Sequence, residues 1–343
     1  MKTTSLFALP FLLMACQEPA SESTQEATTY ETTGSIEVMD PALGEVIDED
    51  ADIQVLADSF SWSEGPLWIG GEDGFVVFTD VPQNKAWKWS EEGGKELYLS
   101  PSGYTGEDRE GSMEGANGLT LDLEGNLILC QHGDRRVARM MADPFTPEPT
   151  YETITDHVDG MRYNSPNDLT YSSDGTLFFT DPPYGLQFGQ WDTINREIPF
   201  EGVYSMKPYG EIRIVDQTLT RPNGIALSPD ESRLYVANSD PNMALWKVYD
   251  KAEDGSYTNG RMFYDATSEV GEELPGLPDG LRVLSTGEII ASGPGGIWII
   301  SEAGKPLGRI LTGVPTANCE IGADGHLYIT ANHRLLRVKL NHL

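Results

Sequence analysis

The chain has 343 residues, of which 39% are hydrophobic, so it is long enough to bury a large core in one domain built from repeats. Its 54 acidic and 23 basic residues give a net charge of −31, which repels nucleic-acid backbones and anionic bilayer surfaces and excludes nucleic acid as a partner. The 36 Gly and 22 Pro favour many short strands joined by tight turns, and therefore an all-β fold.

The first predicted element is a targeting segment. An apolar run from Leu6 to Ala15 is too short to span a bilayer and is typical of the core of a secretory signal. The run ends in Leu13-Met14-Ala15-Cys16, which resembles the bacterial lipoprotein cleavage box. Residues 1–15 are therefore predicted to be a signal peptide and Cys16 the lipidated residue. Because Gln17 rather than Asp follows, we expect an exported lipoprotein anchored in the outer membrane, with the lipid as its membrane contact.

A tether and a folded domain come next. Residues 16–50 are acidic, rich in Ser and Thr and poor in large apolar side chains, so they cannot offset the entropy cost of ordering. They are predicted to be a flexible tether after the lipidated cysteine. The remaining residues, 51–343, are predicted to form the folded domain.

The folded domain contains a repeated pattern of a polar head residue, a short strand, a turn about seven residues on, and a second strand. Four copies begin at Asn117, Asn167, Asn223 and Asp279, and two diverged copies begin at Glu64 and Asn318. The spacing leaves room for about four short strands in each unit, and the alternation has the period of a strand rather than a helix. The sequence therefore predicts a six-bladed β-propeller.

The head residues predict a metal site on the propeller axis, because the innermost strand of every blade starts beside the central channel. Glu64, Asn167, Asn223 and Asp279 supply two carboxylates and two amide oxygens, which are hard ligands. This set favours one divalent ion, Ca²⁺ before Mg²⁺, Mn²⁺ or Zn²⁺. Asn and Asp heads also occur simply as turn formers, but Glu is a poor turn former. Asn318 is assigned to a turn or to a supporting contact.

Several motifs in order carry a family resemblance over residues 60–338. They are Ser63-Glu-Gly-Pro-Leu-Trp, Asn117-Gly-Leu-Thr-Leu-Asp, Asn164-Ser-Pro-Asn-Asp-Leu, Phe179-Thr-Asp-Pro-Pro-Tyr-Gly, Arg221-Pro-Asn-Gly-Ile-Ala and Pro278-Asp-Gly-Leu. The chain resembles the family of senescence marker protein, gluconolactonase and luciferin-regenerating enzyme, especially its bacterial gluconolactonase branch. The resemblance implies Glu64, Asn223 and Asp279 as the metal ligands, with Asn167 as a fourth ligand or a substrate contact. Ser165 stands where animal lactonases have a substrate-gripping arginine.

The resemblance also implies an enzyme, a metal-dependent hydrolase that opens a sugar lactone. The metal would polarise the carbonyl group, and Asp279 would act on the attacking water as the catalytic residue. Small-molecule lactones or esters are the expected substrates. Four further side chains near the heads or on a predicted rim loop are candidate substrate contacts: Asn117, His132, Asp181 and Tyr184. Trp62 is assigned to the core between blades.

Two other functions use the same fold and remain open at this point. A phosphotriester or fluorophosphate hydrolase would use the same four oxygen ligands, and Asn167 as a true ligand favours it. A propeller that only binds a small molecule is the second alternative. The oligomeric state is not indicated.

Overall fold

The computed structural model describes residue 1 and residues 29–107, 113–208 and 210–341. Within these ranges the chain forms six antiparallel sheets of four or five strands and one short hairpin. Each sheet is one blade of a propeller, so the predicted six-bladed, all-β architecture is confirmed.

The strands follow one another in blade order. Three N-terminal strands precede the first blade, namely β1 (Glu31–Thr32), β2 (Ser35–Val38) and β3 (Gln54–Ala57). Blades 1 and 2 consist of β4 (Ser63–Ile69), β5 (Phe75–Asp80), β6 (Lys85–Ser90), β7 (Gly94–Leu99), β8 (Ala116–Leu121), β9 (Leu127–Gln131), β10 (Arg136–Met140) and β11 (Tyr151–Thr155). The hairpin between blades 2 and 3 consists of β12 (His157–Val158) and β13 (Met161–Arg162). Blades 3 and 4 consist of β14 (Leu169–Tyr171), β15 (Leu177–Asp181), β16 (Gly202–Met206), β17 (Ile212–Asp216), β18 (Pro222–Leu227), β19 (Arg233–Asp240), β20 (Met243–Lys251) and β21 (Tyr257–Asp265). Blades 5 and 6 consist of β22 (Leu281–Val283), β23 (Ile289–Gly293), β24 (Gly296–Ile300), β25 (Pro306–Leu311), β26 (Asn318–Ile321), β27 (His326–Ala331) and β28 (Arg334–Lys339). Short 3₁₀ helices span Pro41–Glu45, Val81–Gln83, Gly189–Trp191 and Thr267–Glu269.

The blades form a closed ring around the axis. Inner strands contact one another in turn, β4 with β8, β8 with β14, β14 with β18, β18 with β22, β22 with β26, and β26 again with β4. Exposure increases outward within a blade, since every residue of β5 is buried while β21 is mostly exposed. The residues at the inner ends of these strands therefore share one central space.

Apolar side chains seal the interfaces between neighbouring blades. The described residues form six buried apolar clusters, and each joins one adjacent pair of blades. The cluster between blades 6 and 1 is aromatic and includes Phe78, Trp89 and Tyr328, all nearly inaccessible to water. Because a single blade cannot bury both of its faces, this burial between blades is what stabilises the ring.

The N-terminal segment, residues 31–57, packs along the last two blades, which the sequence did not predict. We call this segment the N-terminal clasp. Strand β3 pairs with β28 as the fourth strand of blade 6, β1 is the edge strand beyond it, and β2 pairs with β25 of blade 5. Leu43, Val46 and Ile47 are buried between these strands. The prediction of a flexible tether over residues 16–50 is therefore wrong for its second half, because these apolar side chains find a surface on blades 5 and 6. The predicted signal peptide and Cys16 lie outside the described residues.

No helix in the described ranges is both long and apolar enough to cross a bilayer.

Candidate active site and metal centre

One cavity of about 980 Å³ opens at the end of the axis where the inner strands begin. Five of the six predicted heads line it, namely Glu64, Asn117, Asn167, Asn223 and Asp279. All but Asp279 are at most 4% exposed, and Asp279 has a buried carboxylate oxygen. The repeat thus brings together all four predicted metal ligands and one predicted substrate contact. We call this group of five side chains the floor of the cavity.

The glycine that follows most heads sets how closely neighbouring heads approach. The ladder register shifts just after the head in β4 and in β18, so the chain bulges there. A Cβ atom on Gly65 would lie 2.0 Å from the carbonyl oxygen of Asn117, and one on Gly224 would lie 2.2 Å from that of Asp279. No side chain fits in that space. Each of these glycines lets the head of its own blade pack directly against the head of the next.

Hydroxyl groups near the ends of the second strands join the blades at the same level. Each donates to a backbone carbonyl at the head of the following blade. Thr79 Oγ1 donates to Asn117 O at 3.1 Å, Thr180 Oγ1 to Asn223 O at 2.7 Å, and Ser292 Oγ to Ala317 O at 2.7 Å. Ser239 Oγ donates in the same way to Pro278 O. These contacts fix the backbone positions from which the floor side chains project.

The Asn223 amide is oriented by Ser239. Asn223 Nδ2 donates to Ser239 Oγ at 3.0 Å, and Ser239 in turn donates to the carbonyl oxygen just before Asp279. The amide nitrogen is therefore directed away from the axis, and the amide oxygen is the atom left for a cation. One serine hydroxyl thereby links two of the predicted ligands.

The Asn167 amide is oriented in a similar way by His132. Asn167 Nδ2 lies 3.5 Å from His132 Nε2, and His132 is completely buried. In the described part of the chain, the oxygens Asn167 Oδ1, Asn117 Oδ1 and Asp279 Oδ1 are all buried without a hydrogen-bond partner. Buried polar atoms normally have partners, so these three oxygens indicate a ligand. His132, predicted as a substrate contact, lies behind Asn167 rather than in the lining of the cavity.

Three buried carboxylates give the site its charge. Burial raises the pKa of Glu64 to about 7, although Trp62 Nε1 donates to Glu64 Oε1 at 3.2 Å and opposes the shift. Burial also raises the pKa of Asp279 well above its usual range, and the charges of Glu64 and Asp168 raise it further. Asp168, a carboxylate 1% exposed, was not predicted as a site residue, and it occupies the position where four of the five other heads are followed by glycine. That break in the head-glycine pattern was the signal for it.

Burial raises the pKa of Asp168, and the positive charge of Arg282 opposes that shift. Arg282 Nε also pairs with Glu320 Oε2 at 2.9 Å, so its charge is shared. The carboxylates of the site therefore outnumber the positive charge beside them.

The donor set fits a hard divalent cation. Two carboxylates would neutralise its charge, and the amide oxygens of Asn167 and Asn223 would provide neutral ligands. Among the described residues, no group of three or more His, Cys, Asp or Glu side chains is arranged to hold a metal ion. The predicted set does not require one, because half of its donors are amides.

Asp181 is not a substrate contact, contrary to the prediction. It is completely buried at the end of β15, and its two carboxylate oxygens accept hydrogen bonds from Asn164 N at 2.8 Å and Ser165 N at 2.7 Å. Asp80 at the end of β5 accepts in the same way from Ser61 N and Trp62 N. The carboxylate therefore holds the loop that leads to the head of blade 3.

Tyr184 lines the cavity, as predicted, and its phenol pKa is raised by burial and by the charge of Asp279. Trp62 also lines the cavity, so its assignment to the core between blades is wrong. Ser165 is buried, and its hydroxyl donates to Pro182 O at 2.5 Å and accepts from Gly185 N. Arg221 is the only Lys or Arg among the described lining residues, and its guanidinium forms no ion pair with a described residue. No role was predicted for Arg221 from the sequence.

Known proteins are similar to this chain over most of its length. A model of the SMP-30/Gluconolactonase/LRE-like region matches residues 62–333. A gluconolactonase of Zymomonas mobilis is 37% identical over 317 residues, which cover 90% of this chain and 86% of the relative. A pentonolactonase of Haloferax volcanii is 25% identical over 287 residues, which cover 81% of this chain and 84% of the relative. The solved structure of a gluconolactonase from Xanthomonas campestris, 27% identical, matches with a TM-score of 0.76 and covers 92% of this chain and 99% of that one.

Proposed function

Because the chain belongs to the SMP-30/gluconolactonase/LRE-like family, we propose that it is a hydrolase that opens a sugar lactone on the floor of its axial cavity. One observation carries this proposal. Asp279 lies where the heads of the blades meet, and one of its carboxylate oxygens is buried there. This oxygen has no hydrogen-bond partner among the described residues. Gluconolactonase and pentonolactonase relatives that match most of the chain support the reaction class.

We propose that the floor holds one divalent cation, with Ca²⁺ preferred. Glu64, Asn167, Asn223 and Asp279 are the residues that would hold it, since Ca²⁺ takes six to eight oxygen ligands and tolerates amide donors. When bound, the cation supplies Lewis-acid polarisation of the lactone carbonyl.

Asp279 is proposed to take part in the attack of water and the opening of the lactone ring. Water attacks the carbonyl carbon of the lactone, and Asp279 accepts the proton that the water releases. The bond between this carbon and the ring oxygen then breaks, and that oxygen takes up a proton to give the hydroxy acid. Burial raises the pKa of Asp279 well above its usual range in the cation-free protein, and a bound cation would lower that pKa and keep the carboxylate ionised for proton uptake.

Three further lining residues are proposed to position the substrate. Asn117 presents an unpartnered amide oxygen to a substrate hydroxyl group, and Tyr184 presents a phenol beside Asp279. Arg221 carries the only basic side chain among the described lining residues, and it is suited to the carboxylate that ring opening produces. Arg221 therefore provides a positive charge in the cavity. Ser165, which stands where animal lactonases have an arginine, forms hydrogen bonds to the backbone instead.

The direct test compares the hydrolysis of glucono-δ-lactone by the wild type and by the Asp279→Asn variant. The reaction is measured by the release of protons. We expect the variant to lose at least a hundredfold in kcat, as is usual when a general base is removed. Asp122→Asn is the matched control, because Asp122 is a buried aspartate in a turn of blade 2 that does not line the cavity. Undiminished lactone hydrolysis by Asp279→Asn would refute the catalytic assignment. Faster hydrolysis of paraoxon than of any lactone would move the reaction to the phosphotriester class.

We also propose that the protein is exported and anchored through a lipid on Cys16. The apolar run before Ala15-Cys16 supports this. Mass spectrometry of the membrane fraction should find a lipidated N-terminal cysteine, and Cys16→Ser should release the protein from the membrane. A wild-type protein found without lipid would contradict the proposal.

A further inference from the structure

The cavity has two zones of opposite chemistry. Its floor is polar, but the loops above the floor contribute a ring of apolar side chains, which we call the collar: Met113, Phe188, Trp191, Pro241, Leu277 and Pro315. In the described part of the chain, these residues come from the loops of five different blades, because they flank β8, β15, β19, β22 and β26. An apolar surface built from so many separate loops is a property of the whole opening and not of one loop.

The collar holds apolar surface in contact with water. Trp191 is 78% exposed and Phe188 is 54% exposed, although both line the cavity. Exposed apolar surface beside a binding cavity is stabilised when a ligand covers it, because the contact with water is lost. The cavity of about 980 Å³ is at the upper end of the range for sites that hold drug-sized ligands, so a lactone ring on the floor leaves the collar unfilled.

The collar also restricts the chemistry of what can fill it. Hydroxyl groups buried against Phe188, Leu277 or Met113 would lose their hydrogen bonds to water without replacement, which is unfavourable. Gln187 and Glu272 are polar side chains of the same lining, and Glu272 disfavours an anionic group beside it. The net charge of −31 acts in the same direction.

We propose that this protein prefers lactones that carry a neutral hydrocarbon substituent, with the lactone ring on the floor and the substituent in the collar. The inference rests on the proposed lactone hydrolase function and specifies its substrate class. Trp191 and Phe188 would pack against the substituent, while the floor residues act on the ring as in any other lactone.

A matched pair of substrates tests the preference. δ-Decalactone differs from δ-valerolactone only by a pentyl chain beside the ring oxygen. Each fully buried methylene favours binding by about fourfold, so a partly buried pentyl chain is expected to raise kcat/KM at least about tenfold. We expect Trp191→Ala and Phe188→Ala each to lower this ratio about threefold or more. Ile194→Ala is the control, since Ile194 is 81% exposed in the same loop but does not line the cavity, and it should leave the ratio unchanged.

The outcomes separate this inference from the proposed function. Turnover of δ-valerolactone and glucono-δ-lactone with no gain from the pentyl chain would refute the collar and leave the lactone hydrolase intact. Faster turnover of lactobionolactone, which carries a sugar substituent, than of δ-decalactone would also refute it. A ratio that is unchanged in both aromatic variants would show that the collar does not bind the substituent. Failure to open any lactone would overturn the proposed function, and the inference with it.

Discussion

Replacement of Ser239 by alanine tests whether Asn223 is a cation ligand that depends on its orientation. The Ser239 hydroxyl accepts from Asn223 Nδ2 at 3.0 Å and donates to Pro278 O. Ser239→Ala removes both contacts, so the Asn223 amide can rotate and turn its nitrogen toward the cation site. The change leaves every proposed ligand in place.

Two separate magnitudes follow from these contacts. Loss of a hydrogen bond that leaves a buried acceptor unsatisfied costs about 1–3 kcal/mol in the free energy of unfolding. Loss of a group that orients a metal ligand weakens metal affinity by about 10- to 100-fold, or about 1.4–2.8 kcal/mol. Ser239→Ala is expected to show both effects.

Ser292→Ala provides the control for fold stability. Ser292 occupies the corresponding place in blade 5, and its hydroxyl donates to Ala317 O at 2.7 Å, but it contacts no proposed ligand side chain. We expect similar losses of thermal stability in the two variants without cation. Calorimetric titration with Ca²⁺ should show weaker binding only for Ser239→Ala. Equal affinity in the two variants and the wild type would refute the orientation of Asn223 as a requirement for cation binding.

The remaining predictions concern pH and the N-terminal clasp. Burial raises the pKa of Asp181 from 3.8 to about 7, so it contributes stability that is full below pH 3.8 and is lost as pH rises through 7. Asp181→Asn should flatten the dependence of Tm on pH in that window, and an unchanged slope would contradict the assignment. Burial and the charge of Asp168 similarly raise the pKa of Glu64 from 4.5 to about 7, so the cation-free protein should lose stability as pH rises from about 4.5 through 7. Saturating Ca²⁺ should then raise Tm more at pH 8 than at pH 5, and equal increases would argue against a carboxylate site. Deletion of residues 1–57 removes β3 and should abolish cooperative unfolding, as circular dichroism can show, and a Tm equal to that of the wild type would contradict a stabilising role of β3.

The sequence predicted the floor of the cavity well because the floor belongs to the repeat. Every head occupies the same place in its own blade, so a pattern in one dimension was sufficient to show that the heads meet in space. The glycine after the head carried further information. It marked the close approach of neighbouring heads, and its replacement by Asp168 marked the buried carboxylate.

Features outside the repeat were predicted less well. Asp181 looked like a polar loop tip between Thr180 and two prolines, but its oxygens are used by backbone N–H groups of a loop sixteen and seventeen residues earlier in the chain. The apolar side chains of residues 43–47 looked too few to fold, because the surface that buries them belongs to blades 5 and 6 at the other end of the chain. Contacts between distant parts of a chain leave little local signal in a sequence.

The closure of the ring also positions the two charged residues that are proposed as ligands. Glu64 belongs to blade 1 and Asp279 to blade 5, so blade 6 lies between them on one side of the ring. The head of blade 6, Asn318, fills the space beside Gly280, where an added Cβ would meet its side chain at 1.9 Å, and it donates a hydrogen bond that lowers the pKa of Glu64. Blade 6 is itself completed by β3 from the N-terminal clasp. A segment far from the cavity in sequence therefore completes the blade that lies between these two carboxylates.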